Sequence, residues 1–263
     1  MMLEDDFTYV IRKALKGLSL APGEAAIRAG LPEAAVLAFS RGNFSPDIAR
    51  RLAPVLGLNA AALANHPDYL PKQITQSNMH RIDLPFGQDR VNAWLIQVDD
   101  IAILFDTGFT VVSCDAALDR MGISEINGIF ITHDHPDHVG GIASFLEKRI
   151  PIYGAEIPQA KVMSPGDSVV CGSLTIRACD LSGHAAPALG FHIDGLDVPV
   201  FITGDALFAG SMGGCHSQAR YQQALKSLKS ALAPLPDETI LLPGHGPATT
   251  LAQEWMSNPF LEK

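Results

Sequence analysis

The chain has no apolar run long enough to span a membrane and little that would mark it for an oxidising compartment. Its longest apolar runs have the length of strands, well short of the about 20 residues that a membrane helix needs. The acidic start, Met-Met-Leu-Glu-Asp-Asp-Phe, lacks the basic and then apolar order of a secretory signal. The four cysteines show no CxxC pairing, which is typical of reduced thiols. We therefore expect a cytoplasmic protein that does not bind membranes.

The chain also has fewer basic residues than acidic ones. The 263 residues contain 19 Lys and Arg against 28 Asp and Glu, and the net charge is −9. Residues 1–71 hold 7 basic and 7 acidic residues, so the negative excess lies in residues 72–263. Such a balance disfavours nucleic acid and anionic membranes as partners. With 47% hydrophobic and 18% charged residues, the chain can bury the core of one large domain or of one medium and one small domain.

Patterning divides the chain into a helical part and a part rich in strands. Apolar spacing and turn residues predict a small all-α domain over residues 1–66, with helices at 7–18, from Pro22 to Gly30, from Pro32, at 46–56 and at 60–64. Two prolines predict a linker over 67–73. Strands in runs over 74–263 predict an α+β domain of two packed sheets with helices outside. The predicted strands are 74–84, 91–98, 101–105, 128–131, near 152, 169–170, 174–178, 189–193, 198–202 and 239–242, and the predicted helices are 111–121, 139–148 and 218–232.

The most informative stretch is Thr-His-Asp-His-Pro-Asp-His at residues 132–138, directly after a short apolar run. His133 and His135 stand two residues apart on an extended segment and therefore point the same way, and Asp137 and His138 follow a turn with proline. Three more candidates, each in a glycine-flanked turn after an apolar run, are His184, Asp205 and His245. Neutral imidazole and carboxylate are ligands of zinc, iron and manganese. The set predicts a hydrolase with two metal ions about 3.5–4 Å apart.

These residues, together with Asp106-Thr107-Gly108, resemble the motifs of the metallo-β-lactamase superfamily over about residues 74–263. The resemblance implies an αβ/βα sandwich that binds two zinc ions. It also implies a ligand set: one ion on His133, His135 and His184, the other on Asp137, His138 and His245, Asp205 as the bridge, and Asp106 as the carboxylate that orients a ligand. Asp137, Asp205 and Asp106 are the implied catalytic residues.

Segments 201–211 and 242–250 are most similar to glyoxalase II and its short bacterial relatives. That likeness implies hydrolysis of a small-molecule thioester, ester or lactone by a metal-bound hydroxide. Two differences from glyoxalase II concern the residues that would bind the substrate. Only 18 residues follow His245, where glyoxalase II has a helical region that binds glutathione, and Gly213-Gly214-Cys215-His216 replaces its Gly-Arg step. Cys215 and His216 are candidate substrate-binding residues, with a plain loop role as the alternative.

The pattern Ala26…Gly30…Val36 resembles the helix-turn-helix of phage-repressor-type domains over residues 7–64. The implied recognition helix, 33–41, opens with Glu33 followed by alanines rather than with residues that read bases. We therefore expect a domain that does not bind DNA. It would pack against the catalytic domain, cover the rim of its site, or form a homodimer. Two alternative functions remain open: a mononuclear iron persulfide dioxygenase and a metal-sensing DNA-binding regulator.

Overall fold

The structure, a computed structural model, describes residues 2–262. Its helices are α1 (Phe7–Gly17), α2 (Pro22–Ala29), α3 (Glu33–Ser40), α4 (Pro46–Leu52), α5 (Ala60–Asn65), α6 (Val111–Arg120), α7 (Pro136–Val139), α8 (Ile142–Glu147), α9 (Gln218–Leu232) and α10 (Leu251–Ser257), with 3-10 turns at Ala53–Leu56 and His66–Asp68. Its strands are β1 (Met79–Phe86), β2 (Asp89–Val98), β3 (Ile101–Phe105), β4 (Gly128–Phe130), β5 (Ile152–Gly154), β6 (Lys161–Val162), β7 (Ser168–Cys171), β8 (Leu174–Asp180), β9 (Leu189–Asp194), β10 (Val200–Gly204), β11 (Leu207–Phe208), β12 (Ser211–Met212), β13 (Ile240–Pro243) and β14 (Thr249–Thr250).

The strands form two six-stranded sheets and one small hairpin. The first sheet has the order β1-β2-β3-β4-β5-β6, and the second has the order β14-β13-β10-β9-β8-β7. In the first sheet β3 and β4 run parallel, and in the second β10 and β13 run parallel. β11 and β12 pair only with each other, directly after β10. The carboxyl ends of the parallel strands therefore meet at one edge of the sandwich.

Three apolar clusters divide the interior into layers. One lies between the two sheets and contains Phe105, Phe130 and Phe191, whose rings pack within 5.8 Å of one another. A second lies between the first sheet and helices α6 and α8. The third joins the N-terminal helices to the second sheet and α9, through residues such as Ile11, Phe201 and Tyr221. Helices thus cover both outer faces, and the N-terminal helices share a core with the strands.

The N-terminal helices begin and end where local chemistry requires. The carboxylate of Asp6 accepts the first N–H groups of α1, the usual role of an N-cap residue. Gly30 ends α2 in the left-handed conformation that glycine adopts without strain. The prediction of one helix over 46–56 is wrong at its end. The helix stops at Leu52 and a 3-10 turn follows, because Pro54 has no N–H group to continue the α-helical ladder.

Two other predicted boundaries are wrong. The strand expected from residue 74 begins only at Met79. The helix expected over 139–148 is two short helices, α7 and α8, separated by Gly140 and Gly141. A Cβ atom at Gly140 would lie 2.0 Å from the carbonyl oxygen of Phe109, so the break lets the chain pass close to the loop after β3. No helix within residues 2–262 is both long enough and apolar enough to cross a membrane.

Candidate metal centre

Five strands deliver their following loops to one edge of the sandwich. Asp106 follows β3, the motif that begins at Thr132 follows β4, and His184 follows β8. Asp205 follows β10 and His245 follows β13. Backbone hydrogen bonds tie the loops together: Asp106 N–H donates to Phe130, and Gly244 N–H donates to Gly204. Residues that are up to 139 positions apart in the sequence, Asp106 and His245, are therefore brought to the same edge.

The structure brings together all seven residues predicted as metal ligands. Each residue offers one nitrogen or oxygen atom, and within each of three groups these atoms lie within 4.8 Å of one another. The groups are His133 with His135 and His184, His133 with His138 and Asp205, and Asp137 with His138 and His245. Two of these groups match the two ligand sets that the resemblance implied. Asp205 lies against both, since its Oδ2 atom is 3.6 Å from His184 Nε2 and 3.4 Å from His245 Nε2.

Four of the five imidazoles are held through Nδ1, which leaves Nε2 directed at the centre. His138 Nδ1 donates to Asp106 at 2.8 Å. His184 Nδ1 donates to the carbonyl of Gly214 at 2.7 Å, and His245 Nδ1 donates to the carbonyl of Arg90 at 2.7 Å. Because carboxylates and carbonyls only accept hydrogen bonds, these three rings must carry their proton on Nδ1. Such partners fix the tautomer and the ring orientation of imidazoles that bind metals.

Asp106 organises two of the ligands at once. Its carboxylate accepts from the backbone N–H of Thr132 at 2.8 Å and from the Thr132 hydroxyl at 2.9 Å. The hydroxyl, having given its proton to Asp106, accepts from His133 Nδ1 at 3.0 Å. Asp106 has a φ of 58°, a left-handed conformation that non-glycine residues adopt only where their surroundings hold them. Asp106 thus reaches His138 directly and His133 through Thr132.

The centre contains buried polar atoms that the described protein residues do not satisfy. His133 Nε2, His138 Nε2 and Asp205 Oδ1 are buried and have no hydrogen-bond partner among residues 2–262. His138 Nε2 and Asp205 Oδ1 are 3.3 Å apart without hydrogen-bond geometry. Burying such atoms unpaired is costly, and three of them facing one space indicate an occupant that accepts lone pairs. Metal cations fit this space, and the donor set of nitrogen and oxygen suits zinc, iron or manganese.

The electrostatics of the metal-free centre show where positive charge is needed. Burial lowers the pKa of His138, but Asp205 and Asp106 outweigh it and raise the value to about 10. Burial also lowers the pKa of His245, and Asp205 and Asp137 raise it to about 11. For Asp205, burial raises the pKa, but the imidazoles of His138 and His245 hold it well below its usual range. Without metal, protons on these two rings balance the carboxylates, and bound cations would replace them.

Two glycines leave room for the centre. A Cβ atom at Gly244 would lie 2.2 Å from Asp205 Oδ1 and 2.7 Å from His138 Cε1. A Cβ atom at Gly213 would lie 1.9 Å from the carbonyl oxygen of Asp205 and 2.9 Å from His184 Cγ. Real Cβ atoms essentially never approach other atoms so closely. Any side chain at these positions would therefore displace candidate ligands.

The two residues proposed for substrate binding lie apart from the ligand cluster. Cys215 is buried in the core shared with the N-terminal helices, with its Sγ atom 3.8 Å from the carbonyl of Gly213. His216 is exposed near the end of the loop that leads to α9. Neither belongs to the three ligand groups. The sequence left a plain loop role as the alternative for Cys215, and the structure places its side chain in the apolar core.

Sequence reasoning missed the residue that holds the His245 loop. Asn92 is 1% exposed, and its side-chain amide donates to the carbonyls of Pro243 and Gly246 at 2.9 Å each. Its backbone N–H donates to the carbonyl of Gly244 at 2.7 Å. An asparagine inside the apolar strand β2 was the available signal, because a buried amide requires partners. Thr132, the relay between Asp106 and His133, gave no comparable signal.

Comparison with known proteins agrees with this geometry. A family model described as the metallo-beta-lactamase superfamily matches residues 86–178. The chain has the metallo-β-lactamase fold. This confirms the predicted αβ/βα sandwich, with α1–α4 preceding it. The B3 metallo-β-lactamase BLEG-1 has the same fold, with a TM-score of 0.59 and 25% identity over 70% of this chain and 100% of that one. The protein TTHA1623, solved in a di-iron-bound form, gives a TM-score of 0.54 with 26% identity over 73% of this chain and 100% of that one.

Two curated proteins that are similar in sequence are hydrolases by name. The probable metallo-hydrolase YqgX of Bacillus subtilis is 26% identical over 68% of this chain and 95% of its own length. A hydroxyacylglutathione hydrolase of Tolumonas auensis is 32% identical over 62% of this chain. The match spans 63% of that hydrolase, which is less than two thirds of its length. The chain is thus similar in sequence to proteins named as metallo-hydrolases and hydroxyacylglutathione hydrolases.

Proposed function

We propose that the chain is a dinuclear metal-dependent hydrolase that acts on a thioester, an ester or a lactone. The observation that carries the proposal is the convergence of His133, His138 and Asp205, each of which has a buried nitrogen or oxygen atom without a partner among residues 2–262. The surrounding residues complete two ligand groups rather than one. The similarity to hydroxyacylglutathione hydrolases makes a thioester the first substrate class to test.

The ligand assignment follows the two groups and their shared carboxylate. One ion would be held by His133, His135 and His184, and the other by Asp137, His138 and His245, with Asp205 between them. Ions in such a pair lower the pKa of a coordinated water and polarise the carbonyl oxygen of a substrate. The N–H groups that hold the rings need no rearrangement during turnover, because each Nδ1 atom already has its acceptor.

The carboxylates of Asp106 and Asp137 have different roles, since one orients an imidazole ring and the other can accept a proton. Asp106 is 2% exposed and keeps the proton on His138 Nδ1, which fixes that ring. Asp137 lies at the other side of the same ring, with its Oδ2 atom 3.3 Å from His245 Nε2 and 3.7 Å from His138 Nε2. We assign Asp137 as a ligand whose second oxygen can accept a proton from the attacking water.

Hydrolysis of S-lactoylglutathione, simple acyl thioesters and lactones by the zinc-loaded chain tests the proposal. Asp205→Ala should remove the shared carboxylate, lower the zinc content below two ions per chain and reduce turnover by at least about 100-fold. Asp134→Ala is the matched control, because Asp134 lies in the same motif but is exposed and outside the ligand groups. If Asp205→Ala kept two ions and a near-normal rate, the assignment would be wrong.

A mononuclear iron oxygenase is the second candidate. His133, His138 and Asp205 form a group of two imidazoles and one carboxylate, which is the ligand type of non-heme iron sites. Metal analysis and oxygen consumption separate the two functions. One iron per chain with oxygen uptake on a persulfide would favour the oxygenase, whereas two ions and acyl hydrolysis without oxygen uptake would favour the hydrolase.

A further inference from the structure

The hairpin β11–β12 connects Asp205 to Gly214, and the N-terminal part of the chain holds this hairpin at three points. His66 Nε2 is 2.9 Å from the carbonyl of Gly210. The hydroxyl of Ser211 donates to Asp5 Oδ2 at 2.5 Å. Lys13 Nζ donates to the carbonyl of Met212 at 2.8 Å. The three anchors come from residues 5–66, which precede the strands, and they fall on three consecutive residues of the hairpin.

A buried ion pair stands at the centre of these anchors. Lys13 Nζ also contacts the carboxylate of Asp5, and the two side chains are only 17% and 6% exposed. Ser211, which shares that carboxylate, is fully buried. Removing one member of such a buried pair leaves the other charge unpaired, which strongly destabilises the folded protein. The geometry of the hairpin therefore depends on α1 and on the segment just before it.

The hairpin in turn sets two candidate ligands. At its beginning is Asp205, the carboxylate shared by the two ligand groups. At its end, the carbonyl of Gly214 accepts from His184 Nδ1 at 2.7 Å. A Cβ atom at Gly214 would be 3.8 Å from Lys13 Cε, so the lysine side chain runs along the backbone that orients His184.

From these contacts we infer that Lys13, with Asp5, is a positioning residue of the metal centre. It acts through the hairpin and the Gly214 carbonyl on His184. The N-terminal helices are thus a structural part of the site, and the inference rests on the metal-binding function proposed above. We assign the effect of Lys13 to His184, because the lysine side chain runs along the backbone of Gly214, whose carbonyl orients that ring.

Zinc affinity of the full-length, metal-free chain, measured by competition with a chromophoric chelator, tests the inference. The unmodified chain is titrated first, and failure to take up zinc would overturn the proposed function before any variant is compared. Lys13→Met should then weaken zinc binding about 10-fold, the lower end of the range for residues that orient metal ligands. Glu24→Gln is the matched control: it breaks the exposed pair of Glu24 with Arg28 on α2, far from the hairpin, and should leave the affinity unchanged.

A double variant distinguishes positioning from a general loss of stability. If Lys13 acts through His184, Lys13→Met should have no further effect on zinc affinity when His184→Ala is already present. Ser211→Ala, which removes a single hydroxyl, should weaken zinc binding in the same direction and decides the question if Lys13→Met fails to fold. Unchanged affinity in folded Lys13→Met and Ser211→Ala would overturn the inference. So would a Lys13→Met effect that adds fully to that of His184→Ala.

Discussion

Adding a single methyl group at Gly244 should disable the centre without altering any ligand. The new Cβ atom would lie 2.2 Å from Asp205 Oδ1 and 2.7 Å from His138 Cε1. The φ of Gly244 is not among the positive values, so alanine meets no backbone penalty and the effect is purely steric. Restoring ordinary contact requires a shift of about 1 Å, which at an active site costs about 100-fold in rate, or about 2.7 kcal/mol.

The assay for Gly244→Ala is kcat/KM on the best substrate found, together with zinc content and the urea midpoint. Gly128→Ala is the control, because a Cβ atom in β4 would make only ordinary contacts at 3.6–3.8 Å. We expect Gly244→Ala to lose about 100-fold in kcat/KM with a cooperative unfolding transition retained. An enzyme with full zinc content and wild-type kcat/KM would refute the conclusion that Asp205 and His138 face the reacting space.

Three further predictions follow from the contacts around the centre. Asp106→Asn should weaken zinc binding by about 10-fold to 100-fold in a chelator competition, and an unchanged affinity would show that Asp106 does not orient His138. Zinc binding at pH 7.5 should release about two protons, because the pKa values of metal-free His138 and His245 are about 10 and 11 and both must become neutral. The zinc affinity should accordingly rise with pH. Calorimetry in buffers of different ionisation enthalpy measures the proton release, and a binding reaction that releases no protons would contradict these pKa values. Asn92→Ala should lower the free energy of unfolding by about 1–3 kcal/mol, measured in urea, because the carbonyls of Pro243 and Gly246 each lose one donor.

Much of the fold followed from local patterns. Strand β3 and helix α9 have the predicted bounds, because an apolar run between turn residues and apolar residues at helical spacing are strong local signals. The errors arose where tertiary contacts override propensity. Gly140 and Gly141 interrupt a helical pattern because the loop after β3 passes against them. The short strands β11, β12 and β14 were not predicted, since two-residue strands carry no periodicity.

The sequence alone determined the chemistry of the centre, because the nitrogen and oxygen donors of the motif and of His184, Asp205 and His245 are properties of residue type. It also determined that each donor follows a strand, since apolar runs ended by glycine-flanked turns are local features. Only the tertiary structure decided which donors lie close together, since that depends on strand order. It also decided that Asn92 donates to the loop of His245, that Lys13 donates to the hairpin and that the Gly214 carbonyl accepts from His184. Hydrogen bonds between residues up to 206 positions apart depend on the packing of elements, and the local sequence does not identify both partners.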